Sequence, residues 1–267
     1  MRIVTPISYE DPVRYMTGVA QKQAVECALL AMHAHLDELL TLEDLASVAC
    51  LSPSHFTRVF RRVVGIPPVE FLAALRFQTA RRLLLTTHLS VTDVCFEVGY
   101  TSTGSFTSRF TQMVGLSPRL LRQRAHAFEP SPIVMADERD PMQSLHIPLS
   151  NVLLGRIIAP TTFQGTIYVG LFRSPIPQWR PVRCTRLGAP GTYLFHGMAD
   201  GIYYLRAAAF PVASDIQTSL LPGEHMLLGN NAGPLVIQHG QVAGDPNLVL
   251  HPPRLTDPPL VMGLPLL

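Results

Sequence analysis

A chain of 267 residues with 47% hydrophobic side chains exceeds one average domain and can bury two cores. The opening MRIVTPISYE has no basic region leading into an apolar stretch, and no run of about 18 apolar residues occurs. A cytoplasmic protein with no membrane partner is therefore expected. The net charge of +2 hides an asymmetry: residues 41–126 carry ten arginines against five acids, whereas 127–267 carry eight against nine, so only the first half suits a polyanion partner.

Proline divides the chain at the same place, with six in residues 1–126 and eighteen in 127–267, which predicts helices first and short strands later. After a leader at 1–18, the apolar residues Val25, Ala28, Met32, Leu36 and Leu39 recur at helical steps and predict one amphipathic helix over 19–39. Thr41 with Asp44 has the spacing of a capping box and opens a second helix through LEDLASVA. Ser52 as N-cap and Pro53 at the first helical position start a third, which ends near Gly65. The segment VEFLAALRFQTARRLLLTT then runs about nineteen residues without Gly or Pro, a helix about 28 Å long. Ser90 with Asp93 caps a short helix, Gly99 turns the chain, and Ser102 begins another.

These last helices repeat the earlier ones. Leu42, Asp44, Leu45 and Ala46 match Val91, Asp93, Val94 and Cys95 at an offset of 49, and Phe56, Phe60, Gly65 and Pro68 match Phe106, Phe110, Gly115 and Pro118 at 50. This is an internal duplication, with too few copies for a solenoid. On a helical wheel Phe56, Phe60 and Val63 form a buried stripe, and Ser54, Arg58, Arg61 and Arg62 point away from it. In the second copy Gly104, Ser108, Thr111 and Gln112 point away, while Arg109 sits on the flank.

A short helix held across a tight turn by a partner helix, with Arg, Ser and Thr outward, has the geometry that enters a DNA major groove. Arginine pairs bidentately with guanine, and Ser and Thr serve base edges or phosphates. Arg61 and Arg62, later in the helix, are placed for phosphates. The long intervening helix suits two recognition helices about one DNA turn, about 34 Å, apart.

Residues 22–126 resemble the double helix-turn-helix DNA-binding domain of AraC/XylS-type bacterial transcriptional regulators. The resemblance rests on LEDLASVACLSPSHFTRVFRRVVGIPPVEFL, RFQTARRLLLTTHLSVTDVCFEVGY and SFTSRFTQMVGLSPRLLR, including both G-x-x-P stops and the R-x-x-x-A-x-x-LL motif. It implies sequence-specific binding of double-stranded promoter DNA, with RNA polymerase as a partner. It also puts Ser54, Thr57 and Arg58 of the first unit, and Thr103, Gly104, Thr107 and Ser108 of the second, in base-reading positions; His55, Arg61, Arg62, Ser105, Arg109 and Gln112 complete the expected DNA-binding residues. Such proteins usually carry arginine where this chain has Ser108, so the second unit is expected to read bases less than the first.

The proline-punctuated, acidic stretch around 129–144 marks a linker, taken as 127–148. Beyond it, NVLLGRII, TIYVGLF, VRCTRL, TYLFHG, GIYYLRAAA, HMLLG, PLVIQ and NLVLH recur at short spacing between turn residues and predict an antiparallel β-sandwich over 149–267. The run 165–207, with its P-G-x-Y-x-F-x-G…G-x-Y-Y-L-x-A pattern, resembles prealbumin-like sandwich modules such as the carboxypeptidase regulatory-like domains. The fold class is thus an all-α double helix-turn-helix domain followed by a sandwich that binds a small-molecule effector, binds a partner or dimerises. His196, His225, His239 and His251 read as surface or edge residues, and Trp179 and one of Tyr203 and Tyr204 as packing or a ligand platform.

No catalytic constellation, metal-ligand spacing or cofactor motif stands out. Cys27, Cys50, Cys95 and Cys184 are too scattered for a zinc site or a disulfide frame and are expected to be buried small hydrophobes. Two other functions fit parts of the sequence. A DNA-repair protein sharing this domain would need a reactive cysteine in a cationic setting or a zinc-bound thiolate cluster, and neither Cys27, placed on the first helix's apolar face, nor Cys50 offers it. A carbohydrate- or protein-binding module with secondary DNA binding would need residues 145–267 to fold and bind a ligand alone.

Overall fold

The computed structural model describes residues 12–127, 152–159, 163–212, 226–231 and 233–262. The proposed linker after Ala127, and His225, lie outside them. Among the described residues seven helices come first: α1 (Pro12–Ala34), α2 (Leu42–Val48), α3 (Pro53–Val64), α4 (Pro68–Thr86), α5 (Val91–Glu97), α6 (Thr103–Val114) and α7 (Pro118–His126). The first helix begins and ends earlier than its apolar spacing implied, and Leu39 is 84% exposed beyond its end.

Both capping boxes are complete. The side chains of Thr41 and Ser90 accept from the amides of Asp44 and Asp93, whose carboxylates accept from the amides of Thr41 and Ser90. Those hydrogen bonds hold both carboxyls below their usual range. The third helix starts with Pro53 at its first position, and its N-cap Ser52 makes no side-chain cap bond. Gly65 and Gly115 end α3 and α6 in the left-handed conformation, at φ 83° and 88°.

The duplication reaches further than the two helix-turn-helix pairs, because α4 belongs to both units. Its Phe71 packs edge-on against Phe60, ring centroids 5.7 Å apart, while its Phe77 lies 6.1 Å from both Phe106 and Phe110. Arginines tie the helix ends in parallel fashion. Arg76 of α4 donates to the carbonyls of Leu36 and Glu38 just past α1, and Arg122 of α7 donates to those of Leu84 and Leu89 at the end of α4. Each supplies donors to carbonyls that helix ends and turns leave unpaired.

Among the described residues nine strands follow: β1 (Leu153–Ile158), β2 (Gly165–Phe172), β3 (Arg183–Leu187), β4 (Thr192–Phe195), β5 (Gly201–Pro211), β6 (Leu227–Asn230), β7 (Leu235–Gln238), β8 (Gln241–Ala243) and β9 (Leu248–Val249). The smaller sheet has the order β4-β1-β9, and the larger β3-β2-β5-β7-β8, with β6 also pairing β5. All pairings are antiparallel except β1 with β9, which is parallel, so the sandwich departs there from the expected antiparallel pattern. No apolar run marked β8.

Alternate residues Ile167, Val169 and Leu171 of β2 and Tyr203, Leu205, Ala207 and Ala209 of β5 face the smaller sheet in one core. The opposite face of β5 is covered too, with Ala208 and Phe210 packing against Met226 and Leu260. Tyr203 is buried and donates to the Ala199 carbonyl, whereas Tyr204 is half-exposed beside Arg206. Trp179 is 63% exposed, although its backbone amide donates to the Met113 carbonyl. His196 and His239 are exposed and His251 half-buried.

Of the cysteines only Cys95 is buried; Cys27, Cys50 and Cys184 are exposed. Cys27 falls on the open side of α1 because Val25, Ala28, Leu29 and Met32 take the buried side. Cys50 has φ 53° in the first helix-turn-helix turn, the position that Gly99 fills at φ 76° in the second. A Cβ on Gly99 would stand 2.8 Å from the Leu36 carbonyl oxygen. Gly99→Ala is therefore expected to destabilise the chain by about 2 kcal/mol or more in denaturant titration, through both φ and contact. Cys50→Gly should gain about 0.5 kcal/mol, as relief of an unfavourable φ outweighs the added chain entropy. Acid titration should strip both capping boxes. With folded values lowered, their stabilisation is present above the ordinary carboxylate pKa of 3.8 and lost as pH falls through the lower folded values. Loss of helical ellipticity in that window, diminished in Asp44→Asn, is the expected signal.

Candidate nucleic-acid interface

The free faces of α3 and α6 follow from what each buries. Phe56, Val59, Phe60 and Val64 face inward on α3, with Val63 only half-buried in the last turn rather than at the centre of the stripe. Phe106, Phe110 and Val114 face inward on α6. Ser54, Arg58, Arg61 and Arg62 are exposed, and His55 and Thr57 half-buried beside them.

No carboxylate among the described residues pairs with Arg58, Arg61 or Arg62. Arg62 Nη1 reaches Gln21 Oε1 of α1 at 3.4 Å, which draws it toward the side of the unit. The Thr57 hydroxyl donates to the Pro53 carbonyl at 2.9 Å, leaving its oxygen to accept. Arg58 and Arg61 thus present all their donors outward, a cationic ridge about one helical turn long.

The second unit offers a different surface. Thr103, Gly104, Ser105, Ser108, Arg109 and Gln112 are exposed and Thr107 half-buried. Ser105 Oγ donates to the Ser102 carbonyl and Thr111 Oγ1 to the Thr107 carbonyl, so two hydroxyl protons are committed to the helix itself. Arg109 stands where the first unit buries Val59. It lies near the Tyr100 hydroxyl, whose pKa burial pushes up while Arg109 and Arg76 partly oppose the shift. Tyr100 in turn packs on Phe77 and Phe106 at 5.4 and 5.5 Å. The only arginine of α6 is therefore a flank residue beside the aromatic cluster.

The partners of Gln21, Arg76, Arg81 and Arg122 escaped the sequence reading, in which Arg76 figured only as the first residue of the R-x-x-x-A-x-x-LL motif. Only long-range packing reveals them. Among the described residues no helix is long and apolar enough to cross a membrane, and no three His, Cys, Asp or Glu side chains gather to hold a metal.

Residues 45–124 match the family model described as a helix-turn-helix domain. The HTH-type transcriptional regulator AlkR of Acinetobacter baylyi is 31% identical over 116 residues, which are 43% of this chain and 38% of AlkR. The HTH-type transcriptional activator AarP of Providencia stuartii is 33% identical over 113 residues, 42% of this chain and 84% of AarP. Among solved structures, the DNA-binding domain of the global transcriptional factor AdpA in complex with a target DNA is 32% identical, covering 42% of this chain and 98% of that one with a TM-score of 0.37. The chain thus spans well under half of AlkR and most of AarP, in both cases through about 115 of its own residues. With two helix-turn-helix units sharing one central helix and a relative matched over most of its length, this chain belongs to the AraC/XylS-type family of helix-turn-helix transcriptional regulators.

Proposed function

We propose that one chain inserts α3 and α6 into successive major-groove segments of promoter DNA in the bacterial cytoplasm, with α3 as the principal reader. The observation that carries this is the unpaired cationic ridge of α3, mounted on a helix that also fixes the second unit. Ser54, His55, Thr57 and Arg58 lie toward the start of α3, the end that meets base edges when a recognition helix enters the groove. Arg61 and Arg62 follow toward its C-terminal end and take phosphates, which add affinity but no sequence information.

The second helix contributes Thr103, Gly104, Ser105, Thr107, Ser108 and Gln112. Small groups at Gly104 and Ser108 let its backbone approach closely, and with Arg109 on the flank near Tyr100 its share of the binding is mainly positional. RNA polymerase is the protein partner this role requires. The sandwich serves as the regulatory module, responding to a small-molecule effector.

Footprinting of the full chain on DNA upstream of its own gene should protect one segment of about two helical turns per chain. Protection of a single turn would leave α6 without a role at the DNA. On that segment Arg58→Ala is expected to cost about 1–3 kcal/mol and relax preference at one base pair, measured against a panel of single-base variants. Ser108→Ala should cost well under 1 kcal/mol. Equal losses for the two substitutions would contradict the ranking of the readers.

A further inference from the structure

The near-neutral charge of residues 127–267 hides a basic run. Residues 141–199 hold five arginines, Arg156, Arg173, Arg180, Arg183 and Arg186, and no Asp, Glu or Lys. Three of the four in and before β3 have partners within the sandwich. Arg173 lies over the Tyr203 ring at 5.3 Å, Arg183 donates to the carbonyls of His196 and Gly197, and Arg186 lies near the Tyr168 hydroxyl. Arg180 is exposed and makes no hydrogen bond, ion pair or ring contact among the described residues.

The loop that carries Arg180, between β2 and β3, is fixed to the helical domain at two points. Ile176 is buried in the helical core, and the Trp179 amide donates to the Met113 carbonyl at 2.8 Å. That carbonyl is one of the last four of α6, which find no amide partner inside the helix. Trp179 adopts φ 57°, a left-handed conformation that a bulky residue keeps only where its surroundings hold it. Arg180 follows directly, its Cα about 3.8 Å further along the chain. A free guanidinium thus stands at the C-terminal end of α6.

In the first unit the same end of the recognition helix carries its own charge. At the offset of 50, Arg61, Arg62 and Val63 of α3 match Thr111, Gln112 and Met113 of α6. The second unit therefore lacks both arginines assigned to phosphates in the first. The sandwich delivers one cation to the end of the helix where they are missing.

We propose that the sandwich takes part in DNA binding, with Arg180 contacting a backbone phosphate beside the groove segment that α6 enters. A single free cation without neighbouring acids suits a phosphate, and such a contact adds affinity without sequence information. The inference rests on the reading that α6 lies at the DNA and adds a contact from outside the two helix-turn-helix units. A cation at the end of α6 also meets the negative end of the helix dipole. That interaction alone would change thermal stability and leave the salt dependence of DNA binding untouched.

The test measures affinity of the full chain for the footprinted segment over a range of salt concentrations. Arg180→Gln should flatten the slope of log affinity against log salt by about 0.9, an about eightfold difference across a tenfold range of salt, with base preference unchanged. Arg180→Lys keeps the charge and should keep the slope. Arg186→Gln removes the same charge from a side chain near Tyr168 and should also keep it. Replacing the phosphates beside the α6 segment one at a time by neutral methylphosphonate should weaken binding of the unaltered chain at one position, and that loss should vanish in Arg180→Gln. With two turns still protected, an unchanged slope in Arg180→Gln, or no such phosphate, overturns the contact and leaves the two-groove reading intact. Equal flattening in Arg186→Gln would trace the effect to net charge and overturn the contact as well. Protection of a single turn, or no DNA bound, overturns the two-groove reading and the contact together.

Discussion

One nineteen-residue helix holds both DNA-binding units in register, because α4 sends Phe71 into one aromatic cluster and Phe77 into the other. Six residues along a helix rotate by about 600° and advance about 9 Å, so the two rings leave the helix at different heights and on different sides. The units are consequently parts of one continuous core rather than beads on a tether. A rigid helix of about 28 Å between them makes their separation a property of the fold. The arginine ties at both helix ends, Arg76 past α1 and Arg122 past α4, stiffen the same assembly by satisfying carbonyls that would otherwise be left open.

On this scaffold the two copies have drifted apart in the residues that packing does not constrain. The inward positions Phe56 and Phe106, and Phe60 and Phe110, are the same because each must fill the same space. Position 59 shows how a packing change alters the surface. Where the first unit buries valine, the second has the exposed Arg109, on the flank beside Tyr100. With Ser108, Thr111 and Gln112 replacing Arg58, Arg61 and Arg62, the cationic surface lies on the first unit.

The sandwich differs from an isolated module in that its larger sheet is covered on both faces. One face meets the smaller sheet, while the other meets the segment following β9, which continues into the helical domain through Val261 and Met262. Ile176, from the loop after β2, joins the same helical core, and the Trp179 amide reaches Met113 of α6. The module is thereby anchored at α4 and at the end of α6.

The helical half was legible because its signals are local. Capping pairs at three-residue spacing, proline at the first helical position, glycine at the C-terminal turn and aromatic residues at helical steps each act within one turn of chain. Those same signals located the outward arginines of α3, since what must be buried determines what is left exposed. Eight of the nine strands among the described residues were marked by short apolar runs, and β8 was not, because it is only three residues long, Gln241, Val242 and Ala243, at the sheet edge. What long-range packing alone decided lies in single polar residues. Periodicity could not tell that Cys27 would face solvent, that Arg109 would stand beside Tyr100, or that Arg81 would be buried. A cation's environment is set by segments that arrive from far along the chain, 181 residues away in the case of Met262 and Arg81, and no local pattern encodes that meeting.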